Sequence, residues 1–462
     1  MNLPSQPNEL PVNKNLLLFL IVLTSFINPF MGAAVNIALP SISSDFSMNA
    51  VQMGWVTMSF LLASVAFLLP IGKLADIAGR KKIFILGNLI ITLASVGCAV
   101  SVNASLLIFF RIIQGLGSAL MFGTGMAMIT SAFPPQHRGR ALGINVSAVY
   151  LGLTMAPLLG GLMTEMLGWR SIFWLNVPFG LVIIPLTVNS IRGDWRDARG
   201  ESFDLKGSVI YATSIAVLMY GFSTLPQPLA VALTILGVLG MAFFVIYENR
   251  ASNPIINLKL FTTNKVFAYS NLAALINYAA TFAVTFVLSL FLQYIKGLDP
   301  TDSGLILVTQ PVLMTLVASF SGRLSDRVDP RILASSGMGI IVIGLVMLIF
   351  VNEQVSSAFI ISSLVVLGIG FGMFSSPNTN SVMSCVEKRF LGVASATIGT
   401  MRLAGQMLSM AIATMMLHVF LGNQRISAEN HSQFQVATKL VFGIFAALCL
   451  LGVFASLKRG KK

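Results

Sequence analysis

Residues 72–82 read Gly-Lys-Leu-Ala-Asp-Ile-Ala-Gly-Arg-Lys-Lys, a short polar stretch between two long apolar runs. A degenerate repeat of this stretch, Gly-Arg-Leu-Ser-Asp-Arg, occurs 250 positions later at residues 322–327. Polar stretches around Gly139 and Gly392 repeat at nearly the same offset, 253 positions. Such a repeat between apolar segments indicates two structurally equivalent halves in a membrane, each with a charged connection at one face.

The composition places the chain among helical membrane proteins. Of its 462 residues, 56% are hydrophobic and only 10% are charged, whereas soluble domains carry about 25% charged residues. Apolar stretches of roughly 18 residues or more recur, each long enough to cross a bilayer as a helix. They predict an all-α polytopic membrane protein with fourteen transmembrane helices, at approximately 15–39, 52–74, 83–102, 105–130, 140–164, 171–191, 205–224, 227–247, 266–295, 303–322, 331–351, 355–377, 390–418 and 435–456.

The basic residues predict the orientation, because cytoplasmic loops retain Lys and Arg. With the N-terminus inside, 23 of the 29 Lys and Arg residues fall on the cytoplasmic side. The sequence therefore predicts a multi-pass protein of the inner or plasma membrane, embedded in the lipid bilayer, with both termini cytoplasmic. The net charge of +13 follows from this bias and does not indicate a nucleic-acid partner.

Several other chemistries lack support in the sequence. The three cysteines lie in or beside apolar segments without a Cys-x-x-Cys spacing, so neither a metal site nor a disulfide framework is expected. The chain has no Gly-x-x-x-x-Gly-Lys-Ser/Thr loop, so ATP is not the expected energy source. No cofactor is expected. The hydrophilic segments are too short for a soluble domain, which argues against a membrane enzyme or sensor.

The repeat offset predicts the domain layout. Two halves of six helices each, separated by 250 positions, leave room for about two additional helices between them. We therefore predict an N-terminal six-helix bundle over residues 1–191, a linker with two inserted transmembrane helices over 192–264, and a C-terminal six-helix bundle over 265–462.

Four motifs carry a family resemblance that covers essentially the whole chain. They are residues 72–82, the run Arg111-Ile112-Ile113-Gln114-Gly115, the run 152–161 (Gly-Leu-Thr-Met-Ala-Pro-Leu-Leu-Gly-Gly) and the run Arg402-Leu403-Ala404-Gly405. On these motifs the sequence resembles the major facilitator superfamily, in its fourteen-span drug:proton antiporter branch. The resemblance implies the major facilitator fold and multidrug-type efflux of small organic molecules by alternating access. It also implies a proton gradient as the energy source. We expect a monomer.

The first group of candidate residues is expected to gate the protein. By resemblance, the 72–82 stretch latches the cytoplasmic ends of the two halves when the cavity faces outward. Glycine permits a tight reversal between helices, and Asp76 is expected to accept charge-assisted hydrogen bonds from Arg80 or a helix N-terminus. The alternative is that the stretch only anchors the topology through its basic residues. The gating candidates are Gly72, Asp76, Arg80, Arg138 and Asp326.

A second group is expected to line a substrate cavity. An arginine inside a span is costly unless it faces a cavity or a partner, and Gln114 shares a helix face with Arg111. On the ninth predicted span a polar side chain recurs at every fourth residue from 277 to 293. This stripe is expected either to line a cavity or to make hydrogen bonds between helices. The cavity candidates are Asn36, Arg111, Gln114, Asn277, Thr281, Thr285, Arg402 and Gln406.

The run 152–161 is expected to be a packing seam. Its small residues let a neighbouring helix approach closely, and its proline removes a backbone hydrogen bond and bends the helix. By resemblance it is the antiporter motif, with Ala156 where the family usually has glycine. The residues concerned are Gly152, Pro157, Gly160 and Gly161.

The sequence places no carboxylate deep in any predicted span. Met31 occupies the position where members of the branch often carry an aspartate, before the run Val-Asn-Ile-Ala-Leu-Pro at 35–40. A proton-coupled carrier needs a group that binds and releases a proton, and a carboxylate shifted by burial is the usual choice. The nearest candidates are Glu165 and Asp302, both at span ends.

Two transport functions remain open at this stage. The first is an exporter of small amphiphilic molecules, with neutral, zwitterionic or anionic substrates favoured because the cavity candidates include two arginines and no acid. The second is an uptake carrier or facilitator for a specific solute, which the methionine at position 31 favours.

Overall fold

The computed structural model describes residues 13–191, 193–251, 254–256, 258–325, 327–387 and 391–459. Within these ranges the protein is helical and contains no β-sheet. Fourteen helices are long and apolar enough to span a membrane, as predicted. They are Lys14–Phe46, Ala50–Ala78, Arg80–Ala99, Ala104–Ala132, Pro135–Leu167, Arg170–Ser190, Leu205–Ser223, Pro228–Glu248, Lys265–Ile295, Pro300–Leu324, Pro330–Ile349, Ser357–Ser384, Leu391–Leu421 and His431–Leu457.

Side-chain caps set several helix starts, because the first turn of a helix has unsatisfied N–H groups. Asn49 accepts from the Gln52 backbone N–H, and the Gln52 side chain accepts from the Asn49 N–H, which makes a full capping box at the second span. Asn103 and Asn264 cap the fourth and ninth spans through their side-chain oxygens.

The ninth and tenth spans are each interrupted. The ninth consists of helices Lys265–Thr281 and Ala283–Leu290 and a final π-helical turn, Phe291–Ile295. The tenth breaks at Val308, between helices Pro300–Leu307 and Thr309–Leu324. Irregular turns of this kind within long helices often occur at functional sites. Both interrupted spans contact the other half of the protein, as described below.

The polar stretch 72–82 is mostly helical, which differs from the loop expected from sequence. The second span continues to Ala78 and the third begins at Arg80, so the reversal is made by Gly79 alone, at φ +120°. That backbone conformation is in the region that favours glycine. Gly72 lies inside the second span and takes no part in the turn.

The two inserted helices pack mainly against each other. Glycine makes this possible, because a Cβ added to Gly237 would lie 2.4 Å from the Leu218 Cα. The seventh span also contacts the second, where the Tyr211 hydroxyl donates to the Val65 carbonyl at 3.2 Å. The Gln227 amide nitrogen lies 3.3 Å from His418 Nε2 of the thirteenth span, so the pair contacts both halves. Its boundaries agree with the predicted inserted helices, while the three domain limits stay a prediction.

Candidate functional site between the two halves

The spans end alternately at two faces. We call the face that holds the turn at Gly79 and the charged segment 193–204 the basic face. The other face, which holds the turns at Ser47 and Gly168, is the opposite face.

The first and ninth spans join the two halves near the opposite face. The Ser289 hydroxyl donates to the Asn36 carbonyl at 3.0 Å, and the Gln293 amide donates to the Ile37 carbonyl at 2.9 Å. Asn36 itself is buried, and its side-chain oxygen accepts from the Thr57 hydroxyl at 2.7 Å. In this conformation Asn36 and the end of the polar stripe make interhelical hydrogen bonds, which is the second of the two predicted alternatives, while a role in lining a cavity stays a prediction.

The fifth and tenth spans touch backbone to backbone near the same face. A Cβ added to Gly161 would lie 2.4 Å from the Pro300 carbonyl oxygen, and one added to Gly304 would lie 2.2 Å from the Pro157 carbonyl oxygen. Gly152 and Gly160 pack equally closely against the first span. The run 152–161 is therefore the packing seam that its small residues predict, and one side of it faces the other half.

Glu165 lies at this contact, at the exposed end of the fifth span. Its Oε2 accepts from the Thr301 backbone N–H at 3.2 Å, at the start of the tenth span. Asp302 is also exposed. Neither proton-coupling candidate is buried, so the structure does not give them the desolvated setting that proton coupling usually needs.

The second and thirteenth spans touch near the opposite face, where a Cβ added to Gly54 would lie 2.2 Å from the Thr414 hydroxyl oxygen. Nearer the basic face, a Cβ on Gly72, Gly143 or Gly399 would meet nothing within 4 Å. The close contacts between the halves at Gly54, Gly161 and Gly304 thus all lie near the opposite face.

Hydroxyl groups join the halves at mid-membrane. The Tyr150 hydroxyl shares a short hydrogen bond with the Ser375 hydroxyl, and the Thr154 and Thr315 hydroxyls are 3.1 Å apart. Reasoning from the sequence missed Tyr150 and Ser375, because a single tyrosine or serine in an apolar span carries no pattern.

Beside Tyr150 lies a group of polar atoms without partners. Tyr150, Tyr278 and Arg402 are close enough to interact electrostatically. Arg402 Nε is buried and has no hydrogen-bond partner among the described residues. Asn277 is 0% exposed, and both atoms of its amide lack partners there. Buried polar groups are rarely left unsatisfied, so the Arg402 Nε and the Asn277 amide are candidates for contact with water or a bound molecule.

The other predicted cavity residues on these spans differ in exposure. Thr281 is buried, and its hydroxyl donates to the Asn277 carbonyl at 2.8 Å. Gln406 is 8% exposed, while Thr285 is partly exposed. Gly405 presses against the ninth span, because a Cβ there would lie 2.4 Å from the Leu275 carbonyl oxygen. This close contact sets Arg402 beside the ninth span.

Arg111 lies in the first half, buried among the second, third and fourth spans. It is 0% exposed, and its Nε donates to the Val56 carbonyl at 2.9 Å. Its Nη1 donates to Gln114 Oε1 at 2.8 Å, and the Gln114 amide donates to the Ser95 hydroxyl at 2.8 Å. The guanidinium carbon lies 4.4 Å from the centre of the Phe60 ring, a cation–π contact. Arg111 and Gln114 do come together, as predicted, but outside the site at Arg402.

Replacing Arg111 separates a structural role from a transport role. Nη2 is buried without a partner, and no carboxylate pairs with this charge among the described residues. Arg111→Met removes a buried cation but leaves the Val56 carbonyl and Gln114 Oε1 without this donor, and a buried acceptor left unsatisfied costs about 1–3 kcal/mol. We expect Arg111→Met to melt at a lower temperature and to transport roughly tenfold more slowly per folded molecule. Unchanged transport per folded molecule would limit Arg111 to a structural role.

The 72–82 motif holds a charge cluster at the basic face. The Arg80 Nε donates to Asp76 Oδ1 at 2.8 Å, as predicted, and its Nη2 lies 2.7 Å from Asp197 Oδ2 in the segment after the sixth span. Lys73 and Glu201 pair at 2.5 Å. These bonds lie within the first half and the adjoining segment, which suits a latch that is not engaged across the halves. Gating remains a prediction.

Two other gating candidates contribute less to this cluster. The Arg138 Nε donates to the Phe133 carbonyl at 3.3 Å, within its own half. Asp326 lies outside the described residues.

Substitutions should show that Arg80, more than its partners, holds the cluster. The Asp197 side chain is 63% exposed, so solvent screens its attraction to Arg80. We expect Asp197→Asn to cost less than about 1 kcal/mol in thermal unfolding. Arg80→Ala should cost more, because the 9%-exposed arginine also bonds Asp76 and Ser131. Equal effects of the two changes on unfolding would contradict this ranking.

The fold and the site define a class: a helical membrane protein with two six-helix bundles, two inserted helices, and polar groups between the bundles. The sequence profile of the Major Facilitator Superfamily matches residues 21–410 and, in a second match, residues 270–461. The chain belongs to this superfamily.

Curated relatives include transporters of different kinds. The chain is 29% identical to the riboflavin transporter RibZ of Clostridioides difficile over 95% of this chain and 96% of that protein. It is 30% identical to the multidrug resistance protein Stp of Mycobacterium tuberculosis over 87% of this chain and 74% of Stp. It is 26% identical to the multidrug transporter MdtP of Bacillus subtilis over 83% and 72%.

Solved structures support the same fold. The chain resembles a bacterial homologue of the human lysosomal transporter Spinster in an inward-facing, unoccupied conformation, with a TM-score of 0.64 and 18% identity over 97% of this chain and 98% of that one. The same homologue in an inward-facing, occupied conformation gives a TM-score of 0.65 and 19% identity over 99% and 100%.

Proposed function

We propose that this protein is a secondary active transporter that exports small amphiphilic organic molecules by alternating access. The observation that supports the proposal is that the halves make close contacts at Gly54 and Gly161, near the opposite face, while Gly72 and Gly143 border open space nearer the basic face. If the basic face is cytoplasmic, as the positive-inside bias predicts, this conformation receives substrate from the cytoplasm. Rocking the halves about the mid-membrane contacts would release it on the other side.

The chemistry between the halves favours neutral or anionic substrates. Arg402 has no acidic partner among the described residues, and Tyr150 lies close enough to interact with it electrostatically. In a low-dielectric site an unpaired guanidinium repels cations and attracts carboxylate, sulfonate or phosphate groups. A flat amphiphile with one anionic or strongly hydrogen-bonding end fits this surface.

Proton coupling is part of the proposal, which does not assign the residue that binds the proton. Glu165 stays a candidate, because its Oε2 accepts from the Thr301 N–H that starts the tenth span and so lies at the contact between the halves. We further propose that the protein works as a monomer in the cell membrane, with both termini cytoplasmic.

A specific uptake carrier or facilitator of the same fold is the second candidate. It is favoured by the similarity to the riboflavin transporter over 95% of the chain and by methionine at position 31. For this candidate the substrate would be one specific solute. A facilitator would carry it down its own concentration gradient and would need no proton or sodium gradient.

Efflux from cells tests the substrate class. Cells that express the protein are loaded with matched dyes that differ only in an anionic or a cationic substituent, and loss of each dye is followed with time. We expect faster loss of the anionic and neutral dyes than in cells carrying the Arg402→Ala variant. A clear preference for cationic dyes would refute the proposed class.

A further inference from the structure

Two carboxylates meet at the basic-face end of the inserted helix pair. Glu248, the last residue of the eighth span, is 2% exposed. Asp204 caps the seventh span. A Cβ added to Gly207 would lie 2.5 Å from Asp204 Oδ2 and 3.2 Å from Glu248 Oε2, so both oxygens border the space that this glycine leaves free. Both oxygens are buried and lack a hydrogen-bond partner among the described residues.

The second oxygen of each carboxylate is already bound. Asp204 Oδ1 accepts from the Gly207 backbone N–H at 2.8 Å and from the Tyr247 hydroxyl at 3.1 Å. Glu248 Oε1 accepts from the Ile256 backbone N–H at 2.9 Å. Each group is therefore fixed in place by one bound oxygen, and its other oxygen borders the space beside Gly207.

No cation compensates this pair within the described chain. Lys206 and Arg250 are the nearest basic residues in sequence, and both side chains are exposed and outside the described ion pairs. The titratable groups that face one another here are Asp204, Glu248 and Tyr247. Two ionised carboxylates in a site shielded from water repel each other, and a shared proton removes the repulsion.

We propose that Asp204 and Glu248 form a proton-binding site in which Glu248 holds one proton at neutral pH and donates it to Asp204. Glu248 is the donor because it is the more buried of the two carboxylates. Glu248 carries the proton on Oε2, which borders the same space beside Gly207 as Asp204 Oδ2. A metal ion fits less well, since hard cations require six or more oxygen ligands and two free carboxylate oxygens border this space among the described residues.

The site joins the two segments that connect the inserted pair to the halves. Asp204 ends the segment that pairs with Arg80 and Lys73 through Asp197 and Glu201. The Glu248 carboxylate accepts from the backbone N–H of Ile256, which lies in the segment between the eighth and ninth spans. Loss of the proton would leave two adjacent negative charges and loosen the junction between these segments. The inference does not depend on the substrate or direction of transport.

Infrared spectroscopy of the full-length protein in lipid nanodiscs tests the site directly. We expect the wild type at neutral pH to show the C=O stretching band of a protonated carboxylic acid, and to lose it on alkalinisation. Glu248→Gln should abolish the band, and Asp204→Asn should shift it, while Glu165→Gln, at an exposed carboxylate, should leave it unchanged. Absence of the band from the wild type, or its persistence in Glu248→Gln, would overturn the proposal.

Melting temperatures measured against pH give a second readout. The folded protein holds a proton that the unfolded chain releases at neutral pH, so wild-type stability should fall as pH rises through release of that proton. Glu248→Gln replaces the proton by an amide donor and should lack this part of the pH dependence. If Glu248→Gln does not fold, the presence of the infrared band in the wild type and its shift in Asp204→Asn still test the proposal. Stabilisation of the alkaline wild type by Na⁺ or Ca²⁺, without the band at neutral pH, would show a cation site instead.

Discussion

Gly161→Leu is expected to abolish transport and to hold the opposite face open. A Cβ at position 161 would lie 2.4 Å from the Pro300 carbonyl oxygen, and a leucine extends further. The obstructing atoms belong to backbone, so the clash is relieved only by separating the fifth and tenth spans. Gly304→Leu should act in the same way from the other side, because its Cβ would lie 2.2 Å from the Pro157 carbonyl oxygen.

Distances between spin labels measure this opening. Leu162 and Leu305 are exposed residues on the two spans, so labels at these positions report the separation with little disturbance. The mean distance should increase in Gly161→Leu relative to the unsubstituted protein. Gly143→Leu is the matched control, since nothing lies within 4 Å of a Cβ there. An unchanged distance together with normal transport in Gly161→Leu would contradict the contact.

Arg402→Ala is expected to weaken transport of anionic substrates by roughly 10- to 100-fold, because a hydrogen bond to a charged group contributes about 1.5–3 kcal/mol. Neutral substrates should lose less. Arg402 Nε has no partner among the described residues, so its removal leaves no protein group unpaired. The protein should therefore keep its melting temperature.

Initial rates for anionic and neutral members of one dye series, measured over a range of concentrations, check this prediction. Arg402→Lys keeps the charge and should recover part of the loss, although lysine lacks the planar fork of donors. Arg425→Ala is the control, since Arg425 is exposed near the opposite face. Equal losses for anionic and neutral dyes would show that Arg402 acts through structure and does not select the substrate.

Sequence patterns predicted the fold well, because membrane spans leave strong signals. The length of the apolar stretches predicted the fourteen spans, and the small residues predicted the close helix packing at Gly152, Gly160 and Gly161. The predicted bond between Asp76 and Arg80 is present as an i,i+4 pair. In each case the cause is local in sequence or set by the bilayer.

The candidate site was predicted only in part, because contacts across the halves depend on the conformation. Four-residue spacing placed Asn277 and Ser289 on one stripe, but only the structure shows that Ser289 bonds the first span while the Asn277 amide lacks a partner among the described residues. Tyr150 and Ser375 meet from positions 225 apart. Glu248 reads as an ordinary helix end until Asp204 is placed beside it.

Transport in proteoliposomes tests secondary active export most directly. Protein reconstituted in one orientation is given a proton gradient of either sign, a sodium gradient, or none, and movement of an anionic dye is followed. We predict that the dye accumulates against its own gradient when protons flow in the opposite direction, and that reversing the proton gradient reverses the movement. Dye that only equilibrates, at a rate independent of both gradients, would contradict export and identify a facilitator.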